Sequence, residues 1–111
     1  MSDTDAQIHD IDSTTLAAWL KNGEVLLVDV REHNEHAGAR IEGSRLNPLS
    51  AFNPHAFTPA AGQKLVLYCG SGVRSREAGK RLIATGHPEA FHLAGGLMDW
   101  KKAGFPVQGA R

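Results

Sequence analysis

Three short apolar runs punctuate the chain: "EVLLVDV" (24–30), "KLVLYC" (64–69) and "AFHL" (90–93). The first two are apolar without interruption, the pattern of strands covered on both faces, as in a parallel sheet. Between the runs, apolar positions recur at helical spacing. In "DSTTLAAWLKNG" (12–23), Leu16, Trp19 and Leu20 share a face, Ser13 stands where a cap is expected and Gly23 where the helix stops. In "VRSREAGKRLIATG" (73–86), Ala78, Gly79, Leu82 and Ile83 form a narrow apolar face, Arg76, Lys80 and Arg81 point outward, and Gly86 ends the helix. "LMDWKKAG" (97–104) predicts a last short helix, closed by Gly104 with Pro106 beyond.

The polar stretch 31–40 has room for one or two helical turns, and 41–49 for a short strand ending at Pro48. Residues 50–63, with Pro54 and Pro59, predict a loop holding one helical turn. Residues 1–11 are expected as a flexible N-terminal segment with a short strand near Ile8, and 12–111 as a single domain. Helices alternating with strands predict an α/β three-layer sandwich, a small, mainly parallel sheet with helices on both faces.

Composition narrows the function. A chain of 111 residues is long enough to bury a core without staples. Twelve basic and twelve acidic residues cancel, which removes the electrostatic argument for a nucleic-acid or membrane-surface partner. No apolar run approaches the roughly 18 residues of a membrane helix. The acidic, polar start "MSDTDAQIHD" does not look like a signal peptide. A single cysteine forms neither an internal disulfide nor a Cys-rich zinc site, and survives best in a reducing compartment. These points together predict a cytoplasmic protein.

That cysteine, Cys69, ends a strand and is followed by "GSGVRS" and a helix. Ligands of open α/β sheets bind at the carboxyl ends of strands. Gly70, Ser71 and Gly72 leave little side chain in the way, so successive N–H groups can turn into one concavity. The helix N-terminus adds unpaired donors and partial positive charge, and Arg74 a full one. The anion such a loop favours can be the cysteine itself. Lowering a thiol by about two units makes it mostly thiolate and requires roughly 2.7 kcal/mol. A helix terminus supplies up to about 2 kcal/mol, and each hydrogen bond to a charged group roughly 1.5–3. An inert, buried cysteine is the bland alternative; the Gly-x-Gly turn and the arginine weigh against it. A phosphate-binding P-loop does not fit, because Arg74 stands where the first glycine before Gly79–Lys80 is required, and Arg81 where the hydroxyl is.

With these residues in view, the chain resembles the single-domain rhodanese family of sulfurtransferases over roughly residues 12–107. "LLVDVREHNEH" (26–36) is similar to the family's D-x-R-x-x-x-E-[YF] stretch, with Asp29, Arg31 and Glu35 in place and His36 at the aromatic position. "LVLYCGSGVRS" is similar to its strand and C-x-x-G-x-R-S loop, and "LAGGLMDWKKAGFPV" (93–107) to its L-x-G-G-x-x-x-W-x-x-x-G-x-P-V ending. Where the family reads G-H-I-P-G-A, this chain has "ARIEGS" (39–44), so Ala39, Arg40 and Glu42 put the geometry of that turn in question.

The resemblance implies a rhodanese-like fold and a two-step covalent cycle. Cys69 takes the outer sulfur of a donor such as thiosulfate, becomes a persulfide and passes the sulfur to cyanide or a thiol. Further partners it implies are a protein persulfide or a thioredoxin-like thiol. It calls for no metal or organic cofactor. By this likeness Gly70, Ser71, Gly72 and Val73 cradle the substrate through backbone N–H groups. Arg74 is either a substrate-binding cation or the partner of a nearby acid. Ser75 is expected as a helix cap. Asp29, Arg31 and Glu35 are expected to be structural, Gly95–Gly96 a turn and Trp100 core. His33 and His36, three apart in a polar stretch, are expected on a solvated helix face rather than at a metal.

Two rivals remain. Phosphatases of the dual-specificity cell-cycle type and related arsenate reductases share this fold but use C-x5-R, a wider ring for a bulkier anion. Cys69 to Arg74 is C-x4-R, which fits a single sulfur. A non-catalytic binding module would be expected to lack the cysteine or carry a broken loop.

Overall fold

The computed structural model describes residues 7–109. The elements are β1 (Ile8–Ile11), α1 (Ser13–Lys21), β2 (Val25–Asp29), α2 (His33–Gly38), β3 (Arg45–Leu46), a 3₁₀ turn at Leu49–Ala51, β4 (Lys64–Tyr68), α3 (Val73–Ala84), β5 (Ala90–Leu93) and α4 (Gly96–Lys102). All strand pairs are parallel, in the order β1-β5-β4-β2-β3. The expected α/β sandwich is therefore observed. β2 and β4 lie inside the sheet, which is why their runs are apolar throughout.

Side chains on one face of the sheet, Leu27, Val66, Tyr68 and Leu93, pack with Leu16 of α1 and with Leu97 and Trp100 of α4. On the other face Val28, Leu65, Leu67 and Ala90 pack with Ala78 and Leu82 of α3. Phe52 and Phe57 of the 50–63 loop close the rim of that second core. Trp100 is a core residue, as expected, its indole N–H donating to the Pro106 carbonyl at 2.8 Å.

The short strand expected near Ile8 is observed as an edge strand: Ile8–Ile11 pairs in parallel with Ala90–Leu93, and Ile8 and Ile11 reach the core. Residues 1–6 lie outside the described residues. Asp12, not Ser13, caps α1: its carboxylate accepts the Thr15 N–H at 2.8 Å from an extended backbone, while Ser13 is already helical and its hydroxyl is buried without a partner. The "ARIEGS" turn closes despite its unusual residues. The Ala39 carbonyl accepts from Arg31, Ser44 N–H donates to Ile41 at 3.1 Å, and Arg40 forms a two-bond antiparallel bridge with Gln108.

Candidate active site

The site sits where β4 ends. The register aligns Asp29 with Tyr68, so the chain leaves β2 and β4 side by side, and Val30 N–H donates to the Tyr68 carbonyl at 2.9 Å. Cys69 follows, 1 % exposed, its side chain on the α3 face. The loop then turns through Gly72, whose φ of +101° is left-handed and which starts α3 without a side-chain cap. Cys69 takes over that capping role. Its Sγ accepts N–H bonds from Gly72 at 3.1 Å and from Ser75, in the first turn of α3, at 3.4 Å. The Ser75 hydroxyl lies 3.7 Å from the sulfur.

These donors act on the thiol's acidity. Burial pushes it up; the N–H groups of Ser75, Ser71 and Gly72 and the Ser75 hydroxyl pull it down, and the net result lies below the ordinary value. The donors that favour the thiolate over the thiol are thus neutral dipoles at a helix N-terminus.

A second loop fixes the first. Leu97 N–H donates to the Cys69 carbonyl at 2.8 Å and Met98 N–H to Gly70 at 3.1 Å. The approach is so close that a Cβ at Gly72 would overlap the Ala94 carbonyl, and a Cβ at Gly96, with φ +67°, the Gly70 carbonyl. The expected Gly95–Gly96 turn is therefore also the wall against which the cysteine loop is built. Val73 and Met98, 75 % and 60 % exposed, stand beside the loop as the large apolar side chains open to solvent.

Arg74 pairs with Glu35 through two bonds, 2.7 and 3.0 Å, which hold the Glu35 carboxyl down at about 2. Its side chain remains 37 % exposed, and its field couples to Cys69. Arg31 grips the fully buried Asp29 with Nε at 3.0 Å and a terminal nitrogen at 2.8 Å, so the structural roles expected for Asp29, Arg31 and Glu35 fit these contacts. His36 departs from expectation. Its Nδ1 lies 2.9 Å from Asp29 and its side chain is 18 % exposed, so it completes that buried pair instead of facing solvent. Among the described residues no group of His, Cys, Asp and Glu is placed to hold a metal.

Ser75 was also placed wrongly by sequence reading. Gly72 occupies the cap position, and the Ser75 hydroxyl is fully buried among the Gly72 carbonyl at 3.2 Å, His92 Nδ1 at 2.8 Å and the sulfur. His92, buried on β5, and Asp10, on β1, were not singled out at all. His92 Nε2 lies 2.8 Å from Asp10. The one available signal was a histidine inside the apolar run "AFHL".

Comparison with known proteins agrees with this fold. The model of the Rhodanese-like domain matches residues 12–103. A sulfurtransferase of Allochromatium vinosum is 32% identical over 90% of this chain and 94% of its own length. An uncharacterized protein of Synechocystis is 42% identical over 84% of this chain, which spans about half (52%) of that relative. The crystal structure of a rhodanese-related protein from Thermoplasma volcanium superposes with a TM-score of 0.77 at 26% identity, covering 90% of this chain and 97% of that one.

Proposed function

Because this chain belongs to the rhodanese-like domain family, we propose that it moves sulfane sulfur through a persulfide on Cys69. The observation that carries the reading is the sulfur's position, one buried thiol in a ring of N–H donors that lowers its pKa. The Cys69 thiolate attacks the outer sulfur of thiosulfate. The new S–S bond forms at Sγ, the donor's S–S bond breaks, and sulfite leaves with its electron pair. Cyanide or a thiolate then attacks the terminal sulfur and releases the Cys69 thiolate. The amides of Ser71, Gly72 and Ser75 face the charge at each stage.

Gly70 to Val73 wall the space the transferred sulfur occupies. Arg74, half-open beside the loop, attracts the anionic donor while Glu35 holds its guanidinium in place. The cycle balances without a metal or organic cofactor. A protein persulfide or a thioredoxin-like thiol can replace the small molecules, and the exposed Val73 and Met98 beside the loop offer such a partner apolar contact. A lone thiol suits the reducing cytoplasm. Among the described residues no helix is long and apolar enough to cross a membrane.

The test is intact mass after the reduced protein is incubated with thiosulfate and desalted, with C69S alongside. A gain of one sulfur on the wild type alone is expected. No gain from thiosulfate, mercaptopyruvate or glutathione persulfide, together with turnover of a phosphate ester, overturns the reading in favour of a phosphatase.

A further inference from the structure

Cys69, Ser75 and His92 are 1 %, 0 % and 2 % exposed, whereas the Asp10 side chain is 55 % exposed. The sulfur, the Ser75 hydroxyl, the two ring nitrogens of His92 and the Asp10 carboxylate follow one another at 3.7, 2.8 and 2.8 Å. This file of polar atoms leads from the buried thiol to the protein surface. Three strands contribute to it: β4 through the Cys69 that follows it, β5 through His92 and β1 through Asp10.

The direction of the bonds follows from what each group can do. An ionised Asp10 only accepts, so Nε2 carries the imidazole proton and Nδ1 presents a lone pair. Of the two acceptors beside the Ser75 hydroxyl, Nδ1 at 2.8 Å is the nearer and takes its proton ahead of the Gly72 carbonyl at 3.2 Å. The Ser75 oxygen then turns a lone pair toward the sulfur, where it accepts the thiol S–H. Burial holds His92 below its ordinary pKa despite Asp10, and Arg76 adds to that lowering, which favours the neutral ring.

We propose that Ser75, His92 and Asp10 form a proton relay serving the Cys69 sulfur, with His92 the base that receives the thiol proton by way of Ser75. The inference rests on Cys69 being the nucleophile. In the step, the S–H bond breaks and its proton moves to the Ser75 oxygen, while the Ser75 proton moves to His92 Nδ1. The products are a thiolate, an unchanged serine hydroxyl and an imidazolium held by Asp10. Nδ1–H now donates to the serine oxygen, so the serine hydroxyl is free to donate to the thiolate. The reverse passage reprotonates the sulfur. Ser75 touches the reacting atom; His92 acts through it and is a positioning residue.

The charged groups facing His92 are few. Asp10 comes from β1, and Arg76, Glu77 and Lys80 of α3 line the same cleft, with Arg76 3.1 Å from Asp10. From the β4 side the titratable group is Cys69 itself, reached through Ser75.

The test is a thiolate titration, followed by ultraviolet absorbance and referenced to the same variant carrying C69S. This readout needs no sulfur donor. H92L is expected to raise the inflection by about one pH unit, the loss of one hydrogen bond to a charged group, and to slow persulfide formation at pH 7 about tenfold. S75A shifts it in the same direction, and the S75A/H92L pair shifts it no further than the larger single change, since both cut one path. Circular dichroism and thermal melting confirm that each variant folds. D10A, at the exposed end, gives a smaller upward shift and carries the test if H92L does not fold. An unmoved inflection in the folded variant, or additive shifts, overturns the relay. A wild type that takes no sulfur from any donor, with H92L still shifted, removes the sulfurtransferase reading and keeps the relay. A wild type that loads sulfur with H92L unshifted does the reverse.

Discussion

Two groups that carry or readily acquire negative charge lie buried at the ends of neighbouring strands, and the protein treats them in opposite ways. Asp29 closes β2, and Cys69 follows β4. Asp29 is met by a full cation: Arg31 donates from its backbone at 2.9 Å and from its guanidinium, and His36 Nδ1 adds a contact at 2.9 Å. Its acceptor capacity is spent on side chains that cannot leave. Cys69 is met by neutral groups, the donating amides of Gly72 and Ser75 and the Ser75 hydroxyl at 3.7 Å. Arg74, a cation whose field reaches the sulfur, is engaged by Glu35. A carboxylate neutralised by a fixed guanidinium is a structural strut. A sulfur held by dipoles keeps its charge available to a substrate, because no counter-ion has to be stripped away first.

The comparison breaks most violently at Asp29. D29A leaves Arg31, 5 % exposed, as an unpaired buried cation, which costs about 3–5 kcal/mol of stability. A urea denaturation curve at neutral pH is expected to show that loss or an unfolded protein. C69S, which keeps an acceptor for the two amides, is expected to stay within about 1 kcal/mol of wild type while losing all sulfur uptake. C69A removes the acceptor and lies between, at about 1–3 kcal/mol, from two buried N–H groups left unpaired. If C69S unfolded as readily as D29A, the division between strut and reactive centre would collapse.

The next effect falls on the loop itself. Gly72 combines a left-handed backbone with contact against the Ala94 carbonyl, so G72A must push the two loops apart. A displacement near 1 Å of a reacting group costs on the order of a hundredfold in rate. G72A is expected to slow persulfide formation by about that factor while D29 and its partners remain paired, read as sulfur uptake against time beside a near-native far-ultraviolet spectrum.

The two regions were unequally legible in the sequence. Cys69 lies within a few residues of its glycines, so local spacing reported the loop, and the family resemblance marked Asp29 and Arg31. The strands read as apolar runs match β2, β4 and β5 to within a residue at each end. The single helical turn expected in the 50–63 loop is observed at its start, Leu49–Ala51, but the approach of Phe52 and Phe57 to the core was not legible, since a loop with two prolines carries no periodicity. Ser75, His92 and Asp10 escaped for a different reason. They meet only because β1 and β5 are neighbours on the far side of β4, an order that no local pattern encodes. His36 was misplaced because its partner, Asp29, lies seven residues away across a turn.

The smallest expected effect tests the strut that joins the two regions. Glu35 belongs to the Asp29 side of the site and Arg74 to the helix that follows the cysteine loop. Arg74 holds the Glu35 carboxyl down at about 2, against 4.5 for the free group. The folded pKa is below the unfolded one, so this contribution to stability is fully present above pH 4.5 and is lost as the pH falls through about 2. Because both side chains are about one-third exposed, solvent screens the pair and its share of stability is modest. E35Q removes the charge but keeps an oxygen for the Glu32 N–H, so the start of α2 survives. The expected outcome is a slightly lower urea midpoint at pH 7 and a flatter acid limb, with wild type and E35Q converging near pH 2. A parallel acid limb in the two proteins would mean that the Asp29 and Cys69 regions are joined by packing rather than by this ion pair.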